Sequence, residues 1–210
     1  MRGNSLTRVA IVDFGLSNLD SIFRAVEECG GNPVVTKDPA DLEKTGHIIL
    51  PGTGTFADAM DNLRSSSLDA ALTEHVIERK APFLGICLGM QLLSEKGYES
   101  GGGQGLGFIE GIVDRLQSSE ASERIPHVGW NEVYPRSGCP LFEGIPDGID
   151  FYFVHSYHFA ASAEATVLAT TPYCGGFVSA VEKGNVFGVQ FHPEKSQHWG
   201  FQLLRNFLAL

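Results

Sequence analysis

The sequence predicts an α/β fold: one domain over residues 1–210, with a mixed, mostly parallel sheet flanked by helices. Three observations predict it. Short β-branched apolar runs alternate with stretches of helical period in the first half, which implies right-handed crossovers between parallel strands. The second half is dominated by strand-like runs and closes on a helix. Hydrophobic residues fill 43% of the 210 positions, enough for a substantial core, and no internal repeat or second domain is visible.

The elements follow in order. Residues 1–7 read as a flexible N-terminal tail. "RVAIVDFG" (8–15) is a buried strand ending at glycine. In "NLDSIFRAVEECGG", Leu19, Ile22, Phe23 and Val26 recur at helical spacing, and Gly30 or Gly31 supplies the stop. "NPVVTK" is a second strand, and "HIILPGTGTF" a third that runs into a Gly/Thr turn. "SLDAALTEHVIERK" reads as a helix and "APFLGIC" as a further buried strand. The glycine cluster "GYESGGGQGLG" reads as a flexible surface loop, because it does not sit between a strand and a helix as a phosphate cradle does. "GLGFIEGIVDRL", "FYFVHSYHF", "TVLATT" and "GFVSAVEKGNVFGVQFH" are strand-like, with a tight turn at "KGN". The tail is helical through Phe201, Leu204, Phe207 and Leu208.

Composition excludes several classes. Fifteen basic against twenty-five acidic residues give a net charge of −10, which argues against a nucleic-acid partner. No apolar run reaches membrane-spanning length, and "MRGNSLTR" has no signal-peptide core. The four cysteines, Cys29, Cys87, Cys139 and Cys174, form no Cys-x-x-Cys pair and suit neither a zinc site nor a disulfide framework. A reducing, cytoplasmic setting without metal or cofactor is expected.

Cys87 stands apart from the other three. "GICLG" is a nucleophile flanked by glycines at a strand-to-helix bend, which lifts the thiol clear at the carboxyl end of the sheet. The N–H of Leu88 lies at the same bend and suits an oxyanion donor. A thiol needs a base. In "VFGVQFHPE", strand alternation puts Phe187, Val189 and Phe191 on one face, with Gly188, Gln190 and His192 on the other. Pro193 ends the ladder, and Glu194 then projects beside His192, where a carboxylate can orient the imidazole. A second oxyanion donor is expected in "LPGTGTF", from the glycine-flanked peptide at Thr53 or Gly54.

"PGTGTF", "GICLGMQLL" and "FGVQFHPEKS", in that order, resemble the triad-type (class I) glutamine amidotransferases over nearly the whole chain. The resemblance implies their flavodoxin-like fold. It implies that Cys87 attacks the side-chain amide of L-glutamine, with His192 as base and then acid and Glu194 orienting it. It also implies that Gly52, Gly54, Gln91, Ser156 and Tyr157 hold the substrate. "VDFGLSNLDSI", "GLGFIEGIVDRL", "IPHVGWNEV" and "FYFVHSYHF" are similar to the branch that serves imidazole glycerol phosphate synthesis in the histidine pathway. That branch implies a heterodimer with a (β/α)8-barrel cyclase, docked around Asn18, Trp130 and Lys195. Two departures stand out. Met90 follows the elbow glycine where the wider family often carries histidine, and Thr53 replaces a small aliphatic residue.

Other readings remain open at this level. The chain could serve another amidotransferase, of purine or aminobenzoate synthesis, against which "HVGWN" and "HSYHF" argue. It could be a non-catalytic regulatory relative, though such relatives tend to lose the cysteine or the base. It could also be a cysteine hydrolase of similar fold acting on a different acyl group.

Overall fold

A computed structural model describes residues 6–16, 18–121 and 123–210. Most of the expected tail, residues 1–5, lies outside the described residues. Strand β1 (Arg8–Val12) leads to helix α1 (Leu19–Glu28) and strand β2 (Asn32–Thr36). Gly30 takes the left-handed conformation after α1, and Gly31 N–H closes the helix on the Val26 carbonyl at 2.9 Å. Strand β3 (His47–Gly52) is followed by α2 (Phe56–Ser65) and α3 (Leu68–Leu72), which continues as a π-helical stretch over Thr73–Glu78. Strand β4 (Phe83–Cys87) turns directly into α4 (Leu88–Gln91).

The remaining strands are β5 (Lys96–Gly97), β6 (Gly103–Gln104), β7 (Gly111–Arg115), β8 (His127–Pro135), β9 (Ile149–His155), β10 (Tyr157–Ala161), β11 (Val167–Thr171), β12 (Phe177–Lys183) and β13 (Val186–Val189). Helix α5 (Gln197–Leu208) closes the chain. The sheet order is β2-β1-β3-β4-β13-β12-β10-β7-β5-β6. Neighbours from β2 through β13 are parallel, whereas β12, β10 and β7 pair antiparallel and β8, β9 and β11 form a side branch.

Strand alternation explains the layering. On β1, Val9 and Ile11 join Ile22 and Val26 of α1 and Leu204 and Phe207 of α5 on one side. Ala10 and Val12 join Phe56, Met60 and Leu63 of α2 on the other. No helix among the described residues is long and apolar enough to cross a membrane.

Two sequence expectations need correction, and one strand lies beyond them. The third strand stops at Gly52, and Phe56 opens α2, a helix the sequence reading passed over. Its start is marked by Thr55, whose hydroxyl accepts from Asp58 N–H. The stretch 127–135, to which the sequence reading assigned no element, is a strand whose register with β9 runs unbroken from His127 to Val133, with Gly129 at φ 140°. The "GYESGGGQGLG" segment is not a simple surface loop, because it contains the β5–β6 pairing and sets Gly97 against the Phe56 ring.

The core also encloses histidines. His47, His127 and His155 are buried, and burial lowers all three, to about 4 for His127 and about 3 for His155. An unfolded chain protonates its histidines near ~6.5, so between that value and the folded ones it binds more protons. Stability should therefore fall as pH drops from 7 toward 4. His192 is raised instead, so its contribution is fully present below ~6.5 and does not offset the loss. Urea midpoints at pH 7, 6 and 5 should decrease in that order. His47→Phe should flatten part of the slope, since both ring nitrogens of His47 are buried without partners. A pH-independent midpoint would contradict this account.

Candidate active site

The site forms at the carboxyl ends of β3, β4 and β13. Register places Gly52 opposite Cys87 and Val189 opposite Ile86, so the three chain segments leave the sheet side by side. Cys87 sits at φ 54°, ψ −108°, a conformation that side chains rarely adopt. Two glycines make the bend possible. A Cβ on Gly89 would lie 1.8 Å from the Leu50 carbonyl oxygen, and one on Gly85 would lie 2.5 Å from the Gly89 oxygen. The thiol donates to the Val154 carbonyl at 3.8 Å and accepts from Gln190 Nε2 at 3.6 Å.

His192 leaves β13 in extended conformation, and Pro193 starts a short 3-10 turn. The backbone there is pinned: His192 N–H donates to the Tyr152 carbonyl at 2.9 Å, and Ser196 Oγ donates to the His192 carbonyl at 2.7 Å. Glu194 Oε1 accepts from His192 Nδ1 at 2.7 Å, with both side chains buried. The other ring nitrogen, Nε2, is buried on the Cys87 side without a hydrogen bond of normal geometry. Burial alone would lower this imidazole. The Cys87 sulfur and the Glu194 carboxylate outweigh it and push the group up to about 10. The surroundings thus favour the protonated form of His192, which lies between a sulfur and a carboxylate.

Cys87 and His192 line a cleft of about 220 Å³, together with Thr53, Gly54, Leu88, Gln91, Ser156 and Tyr157. The profile of the class I glutamine amidotransferases matches residues 10–210. The chain belongs to that family. Among curated relatives it is 45% identical over 202 residues to imidazole glycerol phosphate synthase subunit HisH 1 of Campylobacter jejuni, covering 96% of this chain and 100% of that one. It is 48% identical to the HisH subunit of Moorella thermoacetica (95% and 93% covered) and 45% identical to that of Pyrococcus furiosus (98% and 100%). Among solved structures, PurLQS from Thermotoga maritima matches with a TM-score of 0.75 at 21% identity, covering 98% of this chain and 99% of that one. The crystal structure of another glutamine amidotransferase gives 0.74 at 21% identity, with 96% and 97% covered. These likenesses show the fold: an α/β domain on a mixed sheet, as the sequence predicts.

Within this amidotransferase cleft, the expected substrate residues come together with one qualification. Gly52 supports the site from behind, against Phe14 and Leu88, rather than lining the cleft. Gln91 Nε2 donates to the Tyr157 carbonyl at 2.9 Å and to Gln190 Oε1 at 3.0 Å. The Thr53 N–H, expected as an oxyanion donor, is instead committed to the Leu16 carbonyl at 2.7 Å, and the Thr53 hydroxyl donates to the same oxygen at 3.0 Å. Leu88 opens α4, so its N–H has no acceptor within the helix. Trp130 and Lys195 share one face, both against Tyr152, at 6.0 Å and 5.7 Å between ring centroids and from ammonium to centroid. Asn18 is exposed at the N-cap of α1.

Sequence reasoning missed Glu99, His155 and Gln190. Glu99 comes from the glycine-rich segment, enters the cleft and accepts from Phe56 N–H at 2.9 Å; burial raises its carboxyl. A lone acid in a glycine-rich stretch gives no sequence signal. Strand alternation already places Gln190 on the His192 face, but gives it no role; the structure sets its Nε2 3.6 Å from the Cys87 sulfur.

The elbow yields a direct test. The Leu50 carbonyl that Gly89 abuts is backbone and cannot rotate away. Gly89→Ala should cost about 1–3 kcal/mol or more through overpacking. Its thermal midpoint should drop by several degrees, and labelling of Cys87 by a glutamine-like electrophile should be slower than in the unsubstituted chain. An unchanged midpoint would mean that the elbow tolerates a wider approach.

Proposed function

We propose that this chain is the glutaminase subunit of an imidazole glycerol phosphate synthase, supplying ammonia to a cyclase subunit in histidine biosynthesis. The observation that carries the reading is the buried Cys87, His192 and Glu194 constellation at a strained elbow, in a chain 42–48% identical to several HisH subunits over nearly its full length. The Cys87 sulfur attacks the side-chain carbonyl carbon of L-glutamine, and the proton resides on His192. Collapse of the tetrahedral adduct breaks the C–N bond, and His192 protonates the departing nitrogen, releasing ammonia and leaving a thioester. Water then attacks the thioester carbon, giving its proton to His192. Glutamate departs and the thiol is restored. Glu194 orients the imidazole and stabilises its charge. Leu88 N–H supports the oxyanion. Glu99 is placed to meet the α-ammonium of the substrate, and backbone groups of Gly54, Ser156 and Tyr157 to meet its polar atoms.

The partner would dock on the outward face of β8 and β9. Register pairs Val128 with Val154 and Trp130 with Tyr152, and Val128, Trp130 and Val154 are all exposed. Val154 also lines the cleft, so this apolar patch runs to the mouth of the site. A (β/α)8-barrel cyclase in a heterodimer, contacting Trp130, Lys195 and Asn18, fits such a surface. All four cysteines are free thiols, as in a reducing cytoplasmic setting.

Replacing the triad should grade the losses. Cys87→Ala should abolish glutamine hydrolysis, His192→Asn should cost nearly as much, and Glu194→Gln should leave more activity, because nucleophile and base act as one unit. Ammonia release from glutamine measures all three. A more damaging Glu194→Gln than His192→Asn would overturn the roles.

On this reading the Thr53 peptide, bonded to Leu16, is in a resting orientation. One oxyanion donor is worth roughly 3–4 kcal/mol, about 10²–10³-fold in rate, and it is turned to Leu16. Docking of the cyclase would raise the population of the rotated peptide. The Thr53 hydroxyl adds a bond to the resting state that valine lacks, worth about 0.5–1.5 kcal/mol. Thr53→Val should therefore raise kcat of the isolated chain about 2- to 10-fold with KM little changed. A fall in kcat would count against this latch.

A further inference from the structure

The histidine pair behind the cleft has a fixed polarity. His127 on β8 and His155 on β9 are cross-strand partners on the inward face, exposed by only 3% and 6%. His155 Nδ1 lies 2.8 Å from the Tyr157 carbonyl, which can only accept, so this nitrogen carries the proton. His155 Nε2 is then the acceptor in its neutral ring, and its partner at 3.0 Å, His127 Nδ1, is the donor. His127 Nε2 in turn accepts from Asn131 Nδ2 at 3.2 Å. The bonds all run one way, from the β8 strand toward the cleft. They end on a carbonyl that also receives Gln91 Nε2, and Gln91 reaches Gln190 and thence the Cys87 sulfur. Stacking alone does not require these nitrogens. The His127 ring lies between Tyr173 at 4.0 Å and Phe153 at 4.8 Å, a slot that a phenyl ring would also fill.

We infer that Asn131 and His127 are positioning residues for the glutamine site: through His155 they hold the Tyr157 carbonyl, and with it Gln91 and the cleft wall, in the substrate-binding arrangement. The inference rests on the glutaminase reading above. Neither residue reaches the cleft; both act through His155. Loss of the relay leaves a buried acceptor on His155 unpaired and frees the ring to change tautomer. Binding of glutamine suffers, while the elbow, His192 and Glu194 stay as they are.

The test uses the full chain with His127→Phe, His127→Asn and Asn131→Leu. His127→Phe keeps the stacked ring and removes both bonds. It should raise KM for glutamine about 5- to 100-fold and change kcat less than about threefold. His127→Asn puts an amide N–H where the ring Nδ1–H stood and should recover most of that loss. Asn131→Leu, at the half-buried end of the relay, should give a smaller rise in KM alone. A glutamine-like electrophile should show the same split, with weaker initial binding and an unchanged inactivation step. Iodoacetamide should label Cys87 at the wild-type rate in all variants. KM within twofold of wild type in His127→Phe, or equal losses in kcat without rescue by Asn, would overturn the relay. If His127→Phe does not fold, the KM of Asn131→Leu decides in the same way. Failure of the wild-type chain itself to hydrolyse glutamine or to be labelled at Cys87 would instead overturn the glutaminase reading.

Discussion

Everything at this site depends on one strained turn. Cys87 is held at positive φ between β4 and α4, and it stays there because its neighbours leave no alternative. Gly89 lies on the Leu50 carbonyl and Gly85 on the backbone of the following turn, so the helix starts at the closest distance the sheet permits. That contact fixes more than the thiol. It sets the register of β3 beside β4, which brings the Thr53–Gly54 loop to the sulfur. It also starts α4 at Leu88, on the wall of the cleft. Strain of this kind costs of order 1–3 kcal/mol and persists only where surrounding structure over-determines it. Here the fully buried central strands supply that restraint.

The histidines around the cleft show how environment sorts protons. His155 and His192 both line it, and both lose solvent. His155 meets a carbonyl and another imidazole, with His127, His158 and His192 as its charged or chargeable neighbours, so burial dominates and the ring stays neutral. His192 meets a carboxylate at 2.7 Å and a sulfur, so the opposite charge state is favoured. One proton is thus localised where acid and base chemistry need it, and the adjacent ring is free to serve as a fixed hydrogen-bonding element.

Much of this was legible in the sequence because it is local. The elbow glycines, the alternation that places His192 opposite Phe191 and the proline that sets off Glu194 are short-range signals of backbone geometry. The α/β alternation and the stop after α1 are likewise written in spacing. What stayed hidden depends on contacts between distant segments. Glu99 becomes a cleft residue only because α2, an element the sequence reading ran into the preceding turn, offers it a backbone N–H. His127 and His155 are 28 residues apart and meet through the β8–β9 register. The Thr53 peptide could be identified as permissive, but its commitment to Leu16 is a contact across 37 residues that no local pattern encodes.

The two halves of the sheet divide the work by their stiffness. The parallel block carries Cys87 and His192 at the ends of adjacent buried strands, where close packing holds geometry tightly. The antiparallel branch gives the opposite wall, and its outer face is exposed and apolar. The branch meets the block beside Cys87 and His192: the Val154 carbonyl accepts from the Cys87 thiol, Tyr152 accepts the His192 N–H, and its own N–H goes to Ser196. A partner resting on Trp130 and Tyr152 would therefore press on the strand that pins His192 and carries Val154 at the cleft. On the glutaminase reading, freeing the Thr53 N–H from the Leu16 carbonyl would complete the oxyanion site. On that reading a rigid nucleophile with a movable donor would stay folded and assembled while idle, and would need only a peptide rotation, not a rebuilt site, to begin work.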